Sequence, residues 1–474
     1  MEKIVPRKTE SLPINCCIMR GLSMKNKIRP DKQFNKELFA LAVPFALQGF
    51  LTSLVGASDA LMLGRLTQEA IAAVSLANRV SFTMSLFVGT ITGSVGVLIA
   101  QYYGKNDMTA VKRLLSMALR YVFCISAVFF AVTFFAPAAL MTLLTNEPEL
   151  IQTGAGYLRI VSFSYIFNGL SQCYLMLMKI DGRAKMSVWI SAVTVIVDMT
   201  ADFFLIYGIA GVPALGANGS AYSTIAVELI ALVWCIISSY SEGKIHPDGK
   251  SLTFFSKELE GDMLKIAWPM LASSMAWGLS IVAHSVIVGH LGTDATAACS
   301  VTDVAMNLIQ CLSHGLAGGL GIMVGEQLGQ NKLEKAKEYG RRSWNIAIIC
   351  GFANMLLLCI SGFLVYIFYV LEPLAKSYLL KMLVFNVLYM FAYSFNTIFT
   401  CGVFPAGGDA KYDAISVFFA TWCFALPVSA IGCFVFHWPV LVVYMIMCAD
   451  EIVKVPFLIP RYKKYIWLQN LTRE

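Results

Sequence analysis

Between Met186 and Gly208 the chain reads MSVWISAVTVIVDMTADFFLIYG, an apolar run carrying two aspartates, Asp198 and Asp202. About 20 helical residues cross a hydrocarbon core of about 30 Å, and this run supplies them. An ionised Asp at the centre of such a helix costs about 2.5–3.5 kcal/mol on insertion scales. The two aspartates stand at i and i+4, so they share one helix face and repel. Holding both in oil calls for a proton or a cation, which is the chemistry of an ion site. A polar pair satisfied by neighbouring helices is the alternative.

Other polar groups fall at the same depth. Asp59 lies six residues before Arg65, roughly 9 Å from the end of its apolar segment. Asp202 lies six residues before Gly208, and Thr224 seven residues into the next segment. Asp198 and Glu228 lie one turn deeper, and Asn168 is a further candidate ligand. Carboxylate, Asn and Thr oxygens suit Na⁺ or a proton, since hard cations prefer oxygen. Taken alone, Asn168 and Thr224 read equally well as interhelical hydrogen bonds.

These groups need elements that cross a bilayer, and the composition supplies them. Of 474 residues, 58% are hydrophobic and 14% charged, where soluble domains carry about 25% charged residues. The expected fold class is all-α, a polytopic membrane protein of twelve transmembrane helices in two six-helix lobes. The spans are expected at 38–63, 70–102, 113–144, 150–178, 186–208, 217–240, 263–289, 296–327, 342–370, 376–402, 412–435 and 439–460. Thirteen cysteines show no paired CxxC spacing and read as small hydrophobes. The net charge of +7 sits mostly in alternate loops and the amino-terminal tail, which holds nine Lys/Arg; it is a membrane-orientation signal, not one for nucleic acid. Both termini are therefore expected in the cytoplasm, with the body in the inner membrane of a bacterial cell.

The chain also repeats. A shift of 225 pairs Pro44 with Pro269, Ala72 with Ala297, Ser75 with Ser300, Gly93 with Gly318 and Asn106 with Asn331. A shift of 226 pairs Gly182 with Gly408, Lys185 with Lys411 and Pro213 with Pro439. Six spans per half make the repeat parallel, about an axis along the membrane normal. The expected divisions are a tail at 1–36, a first lobe at 37–240, a cytoplasmic link at 241–260, a second lobe at 261–462 and a tail at 463–474. Under the same shift His284 takes the place of Asp59, and Asp303 that of Asn78. Facing each other, these two could pass a proton or form a buried structural pair. Pro44 lies inside the first span and is a candidate hinge, because an interior proline removes one backbone hydrogen bond. Asp450, Glu451 and Lys454 can neutralise one another on one helix face.

No HExxH, GxSxG or GxxxxGK[ST] pattern is present, so neither a catalytic constellation nor an ATP site is expected, and no cofactor beyond H⁺ or Na⁺. Uphill transport must then draw on an ion gradient.

The runs PFALQGFLTSLVGASDALMLGRLTQEAIAAVSLANRV, VDMTADFFLIYGIAGVPALGANGSAYST and FPAGGDAKYDAISVFFATWCFALP resemble helices of the MATE (multidrug and toxic compound extrusion) transporters. The resemblance covers almost everything from residue 38 onward. It implies that Pro44 is the family's first-helix proline, Asp59 its first-helix aspartate and Asp202 its fifth-helix aspartate. Asp198 falls where the family often has Asn, and Thr224 and Asn168 join the same first-lobe cation site. It implies a secondary antiporter, expected as a monomer, that exports small organic cations or amphipathic compounds in exchange for Na⁺ or H⁺. No carboxylate lies between Lys265 and Asp294, which resembles the DinF-like branch rather than the NorM-like one. The family's RxxGDT loop pattern is weakened at Lys179 and Arg183, and again at Pro405 and Ala410. The alternatives are a flippase for a lipid-linked saccharide, which would favour a cationic cavity, and an intramembrane enzyme, which lacks a catalytic set.

Overall fold

The structure is a computed structural model that describes residues 32–63, 65–209, 211, 213–241, 244–368 and 372–473. The expected amino-terminal tail lies outside these up to residue 31, as do 242 and 243 of the link. Residues 32–36 already belong to the first helix.

The described residues are helical throughout, without a strand. The spans are α1 (Lys32–Leu63), α2 (Gln68–Gly104), α3 (Met108–Phe135), α4 (Pro148–Ile180), α5 (Ala184–Tyr207) and α6 (Ala217–Ser239). The second half holds α7 (Lys257–His290), α8 (Thr293–Gly329), α9 (Leu333–Phe368), α10 (Pro373–Ala406) and α11 (Ala410–Phe434). These eleven are long and apolar enough to cross a membrane. The twelfth, α12, is in two pieces, Val440–Met447 and Ala449–Lys463.

Several helices run past the apolar stretch that marks them. Helix α7 starts at Lys257 rather than 263, and α9 at Leu333 rather than 342. Their added turns carry Lys257, Glu258, Glu260 and Asp262, or Glu334, Lys335, Lys337 and Glu338. A helix ladder continues into water where its side chains are charged; only hydropathy stops. Breaks follow the prolines. Helix α3 ends at Phe135, because Pro137 keeps Ala136 out of the αR conformation (φ −128°, ψ 44°). The π turns at Ile398–Val403 in α10 and Phe418–Ala425 in α11 lie just before Pro405 and Pro427. A π turn makes room where a proline ring would meet the carbonyl one turn back. At the break in α12, Asp450 Oδ1 accepts the Glu451 N–H at 2.8 Å, competing with the ladder.

The repeat is visible in the backbone. Asn106 and Asn331 both turn with positive φ (66° and 57°), as do Gly182 and Gly408 (82° and 81°). All four lie in loops at one end of the bundle, the basic end. The cores are interlocked there. Met263, Ile266 and Ala267 from the start of α7 share one buried cluster with Leu98 and Leu114 of the first half. Leu320, Phe399 and Leu458 of the second half enclose Phe34, Leu38 and Ala42 from the start of α1. The first helix of each half thus begins in the core of the other. The crossing is tight: a Cβ on Gly315 of α8 would lie 2.6 Å from the Ala42 carbonyl oxygen of α1.

Candidate ion site

Helix α1 carries Asp59, and α5 carries Asp198 and Asp202 one turn apart. One carboxylate oxygen from each lies within 4.8 Å of the other two. Asp198 and Asp202 are 6% and 1% exposed, and Asp59 is half-buried. Each has a buried oxygen without a hydrogen-bond partner: Asp59 Oδ1, Asp198 Oδ1 and Asp202 Oδ2. The Ser223 hydroxyl of α6 donates to Asp202 Oδ1. The carboxylates of Asp59 and Asp202 approach each other within 4.8 Å. Two carboxylate oxygens are both acceptors, so this approach needs a proton or a cation between them.

Asp59 and Asp198 open onto a cavity of about 390 Å³ that Asn168, Thr224 and Glu228 also line; Asp202 sits behind its wall. Among the described residues no Lys or Arg lines it. Asn168 of α4 donates from Nδ2 to Glu228 Oε1 of α6 at 2.8 Å, so it orients a fourth carboxylate rather than touching the three aspartates. The Thr224 hydroxyl donates to the Ser220 carbonyl at 2.9 Å, which turns its lone pairs free of that bond. Across the cavity Tyr157 reaches Asn78 Oδ1 at 3.4 Å. Ser223 and Tyr157 belong to the arrangement but not to the sequence reading, which names Asn78 only as the repeat counterpart of Asp303. Serine and tyrosine are common in membrane helices, and nothing in their spacing sets these apart.

Helix α1 runs unbroken through Pro44, beside the close approach of α1 and α8. In the second half, His284 and Asp303 line a separate cavity of about 320 Å³ with Tyr389, Tyr393, Tyr444, Asp450 and Glu451. They share that cavity without bonding each other, and His284 Nε2 has no partner. Here the acids have a built-in cation. Lys454, 7% exposed, lies 2.6 Å from Glu451 and 3.7 Å from Asp450. Thr421 donates to Asp450 at 2.9 Å, and Asn396 to Glu451 at 2.7 Å.

The family model MatE matches residues 44–204 and 269–431, one match in each half. The chain is 23% identical over 442 residues to the uncharacterized transporter YisQ of Bacillus subtilis, covering 93% of this chain and 96% of that one. It is 23% identical over 431 residues to the multidrug resistance protein PmpM of Pseudomonas aeruginosa, covering 87% and 85%. In fold it is similar to the Vibrio cholerae MATE transporter VcmN, with a TM-score of 0.84 at 15% identity, covering 93% and 98%. The family model covers both halves and the helices cross a membrane again and again: the chain belongs to the MATE family of multidrug-efflux transporters, whose members are not enzymes, and is a multi-pass inner-membrane protein.

Proposed function

We propose that the chain is a secondary antiporter that exports cationic or amphipathic drug-like compounds in exchange for H⁺ or Na⁺. Asp59, Asp198 and Asp202 hold the coupling ion, with Thr224 beside them and Asn168 orienting Glu228. The supporting observation is the meeting of three carboxylates, each with an unsatisfied oxygen, and no basic side chain on the cavity wall among the described residues. At an effective dielectric of about 20, two full charges 4.8 Å apart repel by about 3.5 kcal/mol. Three such repulsions are relieved by one cation or by protons, so the ion favours the conformation that assembles the site. Substrate and ion need not touch; each has only to favour a different state of the rocking lobes.

The basic loops support a cytoplasmic position for both termini. The lack of a carboxylate on α7 between Lys265 and Asp294 fits the DinF-like branch. The unpaired Asp303 among three tyrosines suits an organic cation, held by charge and ring faces. A first-lobe cavity without a basic residue suits a lipid-linked pyrophosphate poorly. The test is ethidium efflux in everted vesicles with Na⁺ and pH gradients imposed separately. Wild type should respond to one of them and Asp202→Asn to neither. Unchanged gradient-driven efflux in Asp202→Asn would remove the site from the coupling.

A further inference from the structure

The carboxy-terminal segment does not leave the bundle. After α12, Tyr465 turns with φ 53° and sends the chain back beneath the basic end. Trp467 is fully buried in the core of the second half, stacked on Tyr462. Its socket is built from two glycines. A Cβ on Gly340 would lie 2.3 Å from the Trp467 ring, and one on Gly407 would lie 1.5 Å from its carbonyl oxygen. Four residues on, Leu471 packs against the core of the first half. The segment therefore has an apolar anchor in each lobe.

Polar contacts close the span between the anchors. Gln101 of α2 is fully buried and serves as the knot. Its Nε2 donates to the Ala406 carbonyl at 2.6 Å and to the Gln469 carbonyl at 3.3 Å, and its Oε1 accepts from the Leu471 N–H at 2.6 Å. The Arg473 N–H donates to Tyr102 Oη at 3.1 Å, and Lys105 Nζ donates to the Arg473 carbonyl. The Arg473 side chain returns to the second half, 2.6 Å from Asp262 and 3.2 Å from Glu258. Beneath this segment α2 and α8 are pressed together. A Cβ on Gly329 would lie 1.8 Å from the Gln101 carbonyl oxygen, and one on Gly104 would lie 2.3 Å from that of Glu326.

We propose that residues 464–473 are a strap that holds the basic end of the transporter shut, and that the Gln101 knot must open before α2 and α8 can part. The strap rests on the rocking-lobe reading above. Residues on both sides of the seam bond to it, so separating the halves breaks its hydrogen bonds or pulls Trp467 or Leu471 from a core. Transport then requires the strap to release one lobe in each cycle.

The experiment uses the full chain in liposomes, with its native cysteines replaced and spin labels at Thr109→Cys and Glu334→Cys, exposed positions in the two halves near the seam. Pulsed electron paramagnetic resonance reads the populations of short and long distances. Gln101→Ala should raise the long-distance population by roughly tenfold, because its hydrogen bonds to Ala406 of the second half and to Gln469 and Leu471 of the strap are lost together. Arg473→Glu, which leaves the Trp467 anchor in place, should raise it by a smaller factor. A wild type that opens at this end, with unchanged populations in both variants, overturns the strap alone. A wild type that never opens there overturns the rocking reading and the strap with it.

Discussion

The two halves build one scaffold and use it for opposite electrostatics. A shift of 225 carries Asp59 onto His284 and Asn78 onto Asp303; a shift of 226 carries Asp198 onto Phe424 and Asp202 onto Val428. The same 226 carries Thr224 onto Asp450 and Glu228 onto Lys454. In the first half every charged group on the cavity is an acid and none has a fixed cation. In the second, Lys454 stands where the first has Glu228 and neutralises the acids beside it. Asp450 and Glu451, held by Lys454, Thr421 and Asn396, have standing partners and less to exchange, unlike Asp303 on the same cavity. An acid cluster without a lysine must borrow a cation, and its state follows the gradient. The difference teaches that a helix repeat fixes where polar groups meet, while the residues placed at those positions, Lys454 among them, decide whether the meeting is structural or exchangeable.

The comparison breaks most severely at Lys454. Lys454→Met keeps the volume but leaves Asp450 and Glu451 without their cation. Removing one partner of a buried ion pair costs about 3–5 kcal/mol, so the variant should melt well below wild type in detergent. Added Na⁺ should recover more stability in this variant than in wild type, since the second half would then need a borrowed ion too. A variant that melts like wild type would show that Lys454 is not what sets the halves apart.

Next in size is Asp202→Asn. It keeps the shape and the Ser223 contact but removes one charge from the triad. Losing a charge-assisted contact costs about 1.5–3 kcal/mol, about 10- to 150-fold in ion affinity. The same gradient-driven efflux measurement reads it as a loss of coupling. Val428→Asn, the same end residue at the matching place in the second half, should leave ion dependence untouched. Asn168→Ala comes third. It strips Glu228 of its 2.8 Å donor, costing about 1–3 kcal/mol of local stability. Because Asn168 touches Glu228 and not the aspartates, substrate-free ion affinity should fall less than in Asp202→Asn. Ion-dependent thermal shifts on both variants check the ranking.

Much of this was legible in the residues. Runs of apolar side chains give the spans directly, and the i, i+4 spacing of Asp198 and Asp202 puts both on one face before any neighbour is known. The equal depth of Asp59, Asp202 and Thr224 followed from helical rise alone. What failed to show was set by contacts distant in sequence. Asn168 looked like a ligand because nothing in the chain says that Glu228, sixty residues on, takes its amide. The crossing of α1 and α7 into each other's cores needs the packing of whole lobes. The carboxy-terminal segment read as a tail, because the short apolar run of Tyr465, Ile466, Trp467 and Leu468 shows no partner until the glycine socket at 340 and 407 is assembled.

The smallest effect is the most discriminating. Thr224 lies on the cavity wall with its hydroxyl proton spent on the Ser220 carbonyl at 2.9 Å. Its oxygen can still accept a metal ion but has no proton to give to a carboxylate. A Na⁺ ion needs several oxygens around it, so Thr224 counts as a ligand; a proton on Asp59 or Asp202 needs none from Thr224. Thr224→Val removes that oxygen at nearly constant volume and frees only a helix carbonyl that already has its own ladder bond. If Na⁺ is the coupling ion, apparent Na⁺ affinity should fall about two- to fivefold, about 0.5–1 kcal/mol. If the proton is, efflux driven by a pH gradient should be unchanged in the same vesicles. The matching change in the second half, Asp450→Asn, leaves Lys454 and Glu451 paired at 2.6 Å and should alter neither ion dependence. A change in ion response there would mean that the second half exchanges ions as well, and the contrast between the two halves would be lost.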